Sequence, residues 1–338
     1  MGESTTGTGR MILKHQCRTV SELLGDGYDV DFPLYDTPKT AAEKGKAPEV
    51  ALSGPVYKGE FQSDSVIYGD TDSTYFKTYA ADLQEAITIA DTVADGVNRS
   101  YPKFMQDMFL CQPGFDDIIK AGREIVSDNG IFVDKKRYIL HIADMEGKAV
   151  DKMKVMGLDT KKTTLPKAVA DKLNGFIEQY LKGVPWSDIS KQIVQYKDEL
   201  RGSGNLMDIG LPGGVNGIEE QTAKYEIQGR AAALPGRAAA AIFYNIQLRE
   251  HNDKVSPEIM SGMKVKVFYL DRSFGKFKSI AIPTDVEVVP AWFMENFNVN
   301  YDMHLERLVD NPLENILKAI GKRSPTKQDM IVESLFGF

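Results

Sequence analysis

Two short runs, Val66-Ile67-Tyr68 and Ser73-Thr74-Tyr75-Phe76, are rich in β-branched and aromatic residues and flank Gly69-Asp70-Thr71-Asp72. The pattern predicts a hairpin whose tight turn carries two carboxylates at the edge of a small antiparallel sheet. Upstream, Met11, Ile12, Cys17, Val20, Leu23 and Leu24 share one face of a helix. From about Gly25 to Phe61, Pro33, Pro38, Pro48 and Pro55 with scattered Gly, Lys and Glu predict an irregular excursion. Such a length is unusual inside a compact domain, and a tolerated surface insertion is the simplest reading.

Downstream, Leu83, Ile87, Ala90, Val93, Ala94 and Val97 predict an amphipathic helix, continued or followed by a second one over Tyr101–Leu110. A meander follows: Ile118 to Ser127, a turn at Asp128-Asn129-Gly130, and a return through Ile131 and Phe132. The next strand is Lys135–Ile142, closed by Asp144-Met145-Glu146-Gly147. Val169, Leu173, Phe176, Ile177, Tyr180 and Leu181 give a helix a continuous apolar face, and a second helix follows Pro185. Gly202 to Gly217 breaks the pattern, whereas Ala238 to Asn245 suits a closely packed helix. Met263–Leu270 and Ser279–Ile282 alternate as a small sheet, and helical stretches return around Asn300–Leu308 and Leu313–Ile320. Helices and antiparallel strands in separate runs make the expected fold class α+β.

Composition changes this picture little. The chain has 338 residues, enough for two cored domains, with 41 basic against 48 acidic residues and a net charge of −7. An acidic total argues mildly against nucleic-acid binding by the chain as a whole, but leaves room for a local basic face. Two cysteines, Cys17 and Cys111, fit a reducing compartment without a disulfide framework. No signal peptide is evident, and the most apolar stretch, Ala238–Ile246, is too short to span a bilayer. No membrane partner is expected, and the chain is read as cytoplasmic, in the host cell if it is viral.

The candidate chemistry lies in the hairpin. Asp and Gly are ordinary turn residues, so a bare Asp-x-Asp is more often punctuation than a metal site. Two carboxylates two residues apart on one turn can nonetheless face a hard cation such as Mg²⁺ or Mn²⁺, and phosphoryl transfer is the chemistry such pairs serve. Tyr68-Gly69-Asp70-Thr71-Asp72-Ser73 resembles the motif C signature of family B DNA polymerases. Further matches come in that family's order. Lys135-Lys136-Arg137-Tyr138 resembles its primer-gripping motif, and Arg123-Glu124 resembles the pair that precedes it in phage enzymes. Gly157, Asp159-Thr160, Lys161-Lys162 and Pro166 resemble the junction from palm to thumb, with Thr164 as a plausible N-cap of the next helix. Tyr225–Arg230 followed by Ala238–Asn245 resembles a thumb segment ending in Tyr-Asn. Ser324–Lys327 reads as a flexible lead to Ile331–Phe338, which resembles the sliding-clamp-binding tail of phage replicative polymerases.

The resemblance implies an antiparallel palm sheet backed by helices over 1–157, with the excursion at about 25–61. It further implies a mainly helical thumb with a small β tip over 158–323 and a clamp-binding tail over 324–338. Asp70 and Asp72 would be the catalytic, metal-binding carboxylates for two Mg²⁺ ions shared with a partner, with Glu124 either a third ligand or a surface acid paired with Arg123. Tyr68, Gly69, Thr71, Ser73, Lys135, Lys136, Arg137, Tyr138, Lys161 and Lys162 would meet primer-template DNA, with Lys167 a further candidate for phosphate contact. Ile331, Val332, Leu335, Phe336 and Phe338 would fill an apolar pocket on a sliding clamp. The exonuclease, motif A and fingers that precede this region in the family are not in the sequence. The expectation is therefore one subunit of a split polymerase, inactive without a partner that carries those parts and the dNTP pocket. The competing readings are a non-catalytic DNA- and clamp-binding accessory and an unrelated Mg²⁺ phosphotransferase.

Overall fold

The computed structural model describes residues 2–25, 65–116, 118–203, 205–286 and 289–336, without the side chains of 2–6 and 332–336. Most of the proline-rich excursion and Phe338 lie outside the described residues. Helices and small antiparallel sheets occupy separate stretches of the chain, and the fold class is α+β. The chain divides into two compact units, one of residues Met1–Asp128 and Ile142–Lys152, the other of Asn129–His141 and Met153–Phe338. Among the described residues, no helix is long and apolar enough to cross a membrane.

In the first unit, α1 (Gly2–Leu23) packs on α2 (Leu83–Phe109) and on a hairpin of β1 (Val66–Asp70) and β2 (Ser73–Phe76). Met11 and Val20 of α1 meet Val93, Val97, Tyr101, Phe104 and Met108 of α2 in one apolar cluster. Gly96 lets the helices approach closely, since a Cβ there would lie 2.5 Å from Leu23 Cδ1. A reciprocal cap starts α2: Asp82 Oδ1 accepts from Glu85 N at 2.8 Å, and Glu85 Oε2 accepts from Ala81 N at 2.7 Å. The helix runs unbroken through Pro102, because its buried face stays in register on both sides.

A three-stranded antiparallel meander, β3 (Ile125–Asp134), β4 (Arg137–Met145) and β5 (Lys148–Met156), corrects the sequence reading in two places. Asp128-Asn129-Gly130 is not a turn, because β3 passes straight through it. Gly130 serves close approach instead: a Cβ would meet Leu140 Cδ2 at 2.5 Å and the Ile139 carbonyl oxygen at 3.3 Å. The turn falls at Lys135-Lys136, where Asp134 Oδ1 accepts from Lys135 N at 2.7 Å and Lys136 takes a left-handed φ of 60°. The strand β5 was hidden in the sequence by its many exposed, charged positions.

The second unit has the larger core. Leu173 and Phe176 of α3 (Lys167–Leu181) face Ile189 and Ile193 of α4 (Trp186–Arg201). Thr164 does not cap α3; Pro166 occupies that position and no side chain bonds the first turn. Beyond a one-turn 3₁₀ helix at Leu206–Ile209 comes β6 (Leu211–Gly214), concealed in the glycine-rich stretch, then α5 (Ile218–Gln228) and α6 (Gly236–Glu250). β6 joins β7 (Lys264–Phe274) and β8 (Phe277–Pro283) in a sheet with both faces in the core: Phe268, Ile280 and Ile282 on one, Val265, Val267 and Ala281 on the other. Ala240 and Ala241 bring α6 close against β8.

The chain then forms α7 (Ala291–Asn296), α8 (Tyr301–Leu305), a π turn at Glu306–Asp310 and α9 (Asn311–Ala319). His304 is fully buried: Nε2 accepts from Tyr269 N and Nδ1 donates to Ile209 O, both at 2.9 Å, so the ring joins β7 to the 3₁₀ turn. The tail ends in α10 (Lys327–Phe336). Its lead is tied down rather than flexible, since Lys197 Nζ donates to Ser324 Oγ and Pro325 O at 3.1 Å each and lies 2.5 Å from Asp310 Oδ1.

Candidate functional site

The hairpin pairs Asp70 with Ser73, Gly69 with Thr74 and Tyr68 with Tyr75, leaving Thr71 and Asp72 as a two-residue turn. Thr71 adopts φ 55°, and Asp72 N donates to Asp70 O at 2.6 Å. Ser73 Oγ also donates to Asp70 O, at 3.2 Å, and Thr71 Oγ1 donates to Asp70 Oδ1 at 3.3 Å. Asp72 is exposed at the tip and Asp70 is half-buried at the end of β1.

Gly69 seats the hairpin on α1. A Cβ at this position would lie 3.1 Å from Cys17 Sγ and 3.5 Å from Leu13 Cδ1. Cys17 is buried, burial pushes its thiol up from the usual range, and its Sγ is 3.5 Å from Thr74 Oγ1. Tyr68 and Tyr75 stand side by side with ring centroids 6.0 Å apart. Of the hairpin candidates, Thr71 and Asp72 are exposed, while Tyr68, Gly69, Asp70 and Ser73 are half-buried.

Mg²⁺ takes oxygen ligands and keeps several of its waters, so two carboxylates on one short turn fit one side of such a site. Among the described residues, no three His, Cys, Asp or Glu side chains gather in an arrangement that could hold a metal. Glu124 is exposed and its carbonyl accepts from Glu146 N at 2.9 Å. Its neighbour Arg123 pairs elsewhere, with Asp91 Oδ1 at 2.7 Å from Nε and with Asp144 through Nη1. Burial works against the Arg123 charge, but the two carboxylates outweigh it and hold the guanidinium above its usual range.

The basic motif divides into a tip and an anchor. Lys135 and Lys136 are exposed in the β3–β4 turn. Arg137 points back, with Nε donating to Gly157 O and Nη2 to Asp159 Oδ2, both at 3.2 Å. Asp159 Oδ1 also pairs with Lys162 Nζ. Tyr138 is only 6% exposed, with its ring centroid 5.5 Å from that of Phe132, which places it in the packed face of β4 rather than beside the lysines. Lys161 and Lys167 are exposed. On α10, Ile331 is 57% exposed; the side chains of Val332, Leu335 and Phe336 lie outside the described residues.

Gly157 and Asp159 were legible only as parts of a junction signature. Their contacts with the Lys136–Arg137 backbone and side chain span about twenty residues, a pairing no local pattern announces.

Comparison with known proteins decides the relationship. A family model described as DNA polymerase family B matches residues 1–208. The chain belongs to DNA polymerase family B. The match takes in the hairpin, the basic turn and the first two helices of the second unit. The DNA-directed DNA polymerase of Escherichia phage RB69 is 26% identical over 279 residues, covering 75% of this chain and 30% of the phage polymerase. The chain thus aligns with less than a third of the length of this relative.

Proposed function

We propose that the chain is one subunit of a DNA-directed DNA polymerase, contributing the second half of a palm (1–157), a thumb (158–323) and a clamp-binding tail (324–338). The observation that carries the reading is the Asp70–Asp72 turn: two oxygen-donor side chains, one at the end of β1 and one at the tip of the hairpin, inside the stretch matched by the family model.

In this reading Asp72, the exposed carboxylate, is the metal-binding group, and Asp70 supports it from the strand end. The Thr71 hydroxyl, donating to Asp70 Oδ1, and the Gly69 seat against α1 fix the geometry of that pair. When bound, two Mg²⁺ ions shared with a partner subunit would supply Lewis-acid activation of a primer 3′-hydroxyl and charge neutralisation of the leaving pyrophosphate. Lys135 and Lys136 would hold phosphates of the primer-template, and Lys161 would add to that basic face. In this reading the exonuclease, the motif A aspartate, the fingers and the dNTP pocket would come from the partner. Ile331 on α10 is suitably exposed to dock into a sliding clamp.

Primer extension with Mg²⁺ tests this, using the chain alone and together with a candidate chain carrying the exonuclease, motif A and fingers. Activity only in the mixture is expected. Extension by this chain alone would overturn the split-site reading, and a stable but inactive complex would favour a non-catalytic accessory.

A further inference from the structure

In the second unit, the Lys135-Lys136 turn is held from beneath by a segment some twenty residues further on. Gly157 has a left-handed φ of 63°, and a Cβ there would overlap the Lys136 carbonyl oxygen and lie 3.1 Å from Arg137 Cγ. The main chain of Gly157 therefore lies directly against the Lys136–Arg137 backbone, an approach only glycine permits. Two residues on, the Asp159 carboxylate receives both Arg137 Nη2 and Lys162 Nζ, while Arg137 Nε donates to the Gly157 carbonyl. The Arg137 side chain is 28% exposed and that of Asp159 21%, so this pairing is partly shielded from solvent. Lys136, by contrast, is exposed and in a left-handed conformation that residues with a Cβ uncommonly adopt.

From this geometry we propose that Asp159 is a positioning residue for the basic turn, and that Arg137 is the lever through which it acts rather than a phosphate ligand. The proposal rests on the polymerase reading, which supplies primer-template DNA as the partner. An acid beside a nucleic-acid site ordinarily weakens binding through its charge. Here Asp159 fixes the cation next to a strained turn and points Lys135 and Lys136 outward together. Its carboxylate thus strengthens binding despite its sign, and that reversal separates positioning from simple electrostatics.

The test is equilibrium binding of a fluorescent primer-template to the full chain over a salt series, with melting temperature as a folding control. Each lysine–phosphate contact contributes about 0.9 to the slope of log K against log salt, which corresponds to roughly fivefold in affinity near 0.15 M salt. Asp159→Ala should weaken binding about fivefold or more and flatten the slope by about 1, although it removes a negative charge. Asp159→Glu should restore most of the loss. Gly157→Ala, which changes no charge, should reproduce it. In a Lys135→Ala/Lys136→Ala background, Asp159→Ala should cost nothing further, because the groups it positions are gone. Unchanged or tighter binding by a folded Asp159→Ala, or an undiminished loss in the double-lysine background, would overturn the positioning role alone. Failure of the wild-type chain to bind primer-template would overturn the polymerase reading as well.

Discussion

Acidification should destabilise the second unit through His304. The ring is buried and neutral, accepting from Tyr269 N at Nε2 and donating to Ile209 O from Nδ1. A second proton would leave Nε2–H facing the Tyr269 N–H, with no acceptor. Burial, with a smaller contribution from nearby Arg307 and opposed by the Ile209 hydrogen bond, lowers its pKa from 6.5 to about 4. The unfolded chain takes up the proton near pH 6.5 and the folded one only near 4. Stability is therefore complete above pH 6.5 and is lost progressively as the pH falls to about 4. A shift of this size amounts to about 3.4 kcal/mol in all, of which roughly 2.6 kcal/mol is lost by pH 4.5. Trp186 and Trp292 both lie in this unit, so tryptophan fluorescence reports its unfolding. In urea the midpoint should fall by roughly 1 M between pH 7 and 4.5. Asp253 acts in a lower window: hydrogen bonds from Ser256, Trp292 and Val255, acting against burial, hold its carboxyl well below the usual range, so its contribution fades only under stronger acid. Equal midpoints at pH 7 and 4.5, or a shift that persists undiminished in His304→Gln, would refute this assignment.

Arg123 should be the most sensitive ion-pair position of the first unit. Arg123→Ala leaves Asp144, 4% exposed, without its cation and should cost about 3 kcal/mol or more, read as faster hydrogen exchange at Ile142–Met145. Gly69→Ala must displace Cys17 Sγ from 3.1 Å and should lower the melting temperature of the hairpin and α1 by a few degrees, about 1 kcal/mol, monitored by circular dichroism. Lys197→Ala should release the tail, with faster exchange across Lys327–Phe336 and little change elsewhere, because Lys197 ties Ser324 and Pro325 to α4.

What the sequence disclosed follows from the range of the interactions involved. The hairpin, the apolar helix faces and the helices of the second unit are set by local periodicity, and each appears near where that periodicity puts it. The displaced β3–β4 turn shows the limit. Asp128-Asn129-Gly130 has strong turn chemistry, but Gly130 is needed where Leu140 and Ile139 cross it, and tertiary contact overrides local preference. β5 and β6 escaped notice because one is largely solvated and the other consists of Leu-Pro-Gly-Gly. In the candidate site, residue types pointed to the carboxylates and the lysines. That Arg137 is turned inward onto Asp159 and that Arg123 serves Asp91 and Asp144 rather than Glu124 depend on partners more than twenty residues away, and Tyr138 is packed against Phe132 across the β3–β4 turn.

The most direct test of the central claim is the single-turnover rate of nucleotide incorporation by the assembled subunits with Asp72→Ala in this chain, with primer-template affinity measured in parallel. If Asp72 is the metal-binding carboxylate of a polymerase site, the rate falls by orders of magnitude while DNA affinity stays close to that of the wild type. An unchanged rate would contradict the account and leave this chain a binding component without a part in the chemistry.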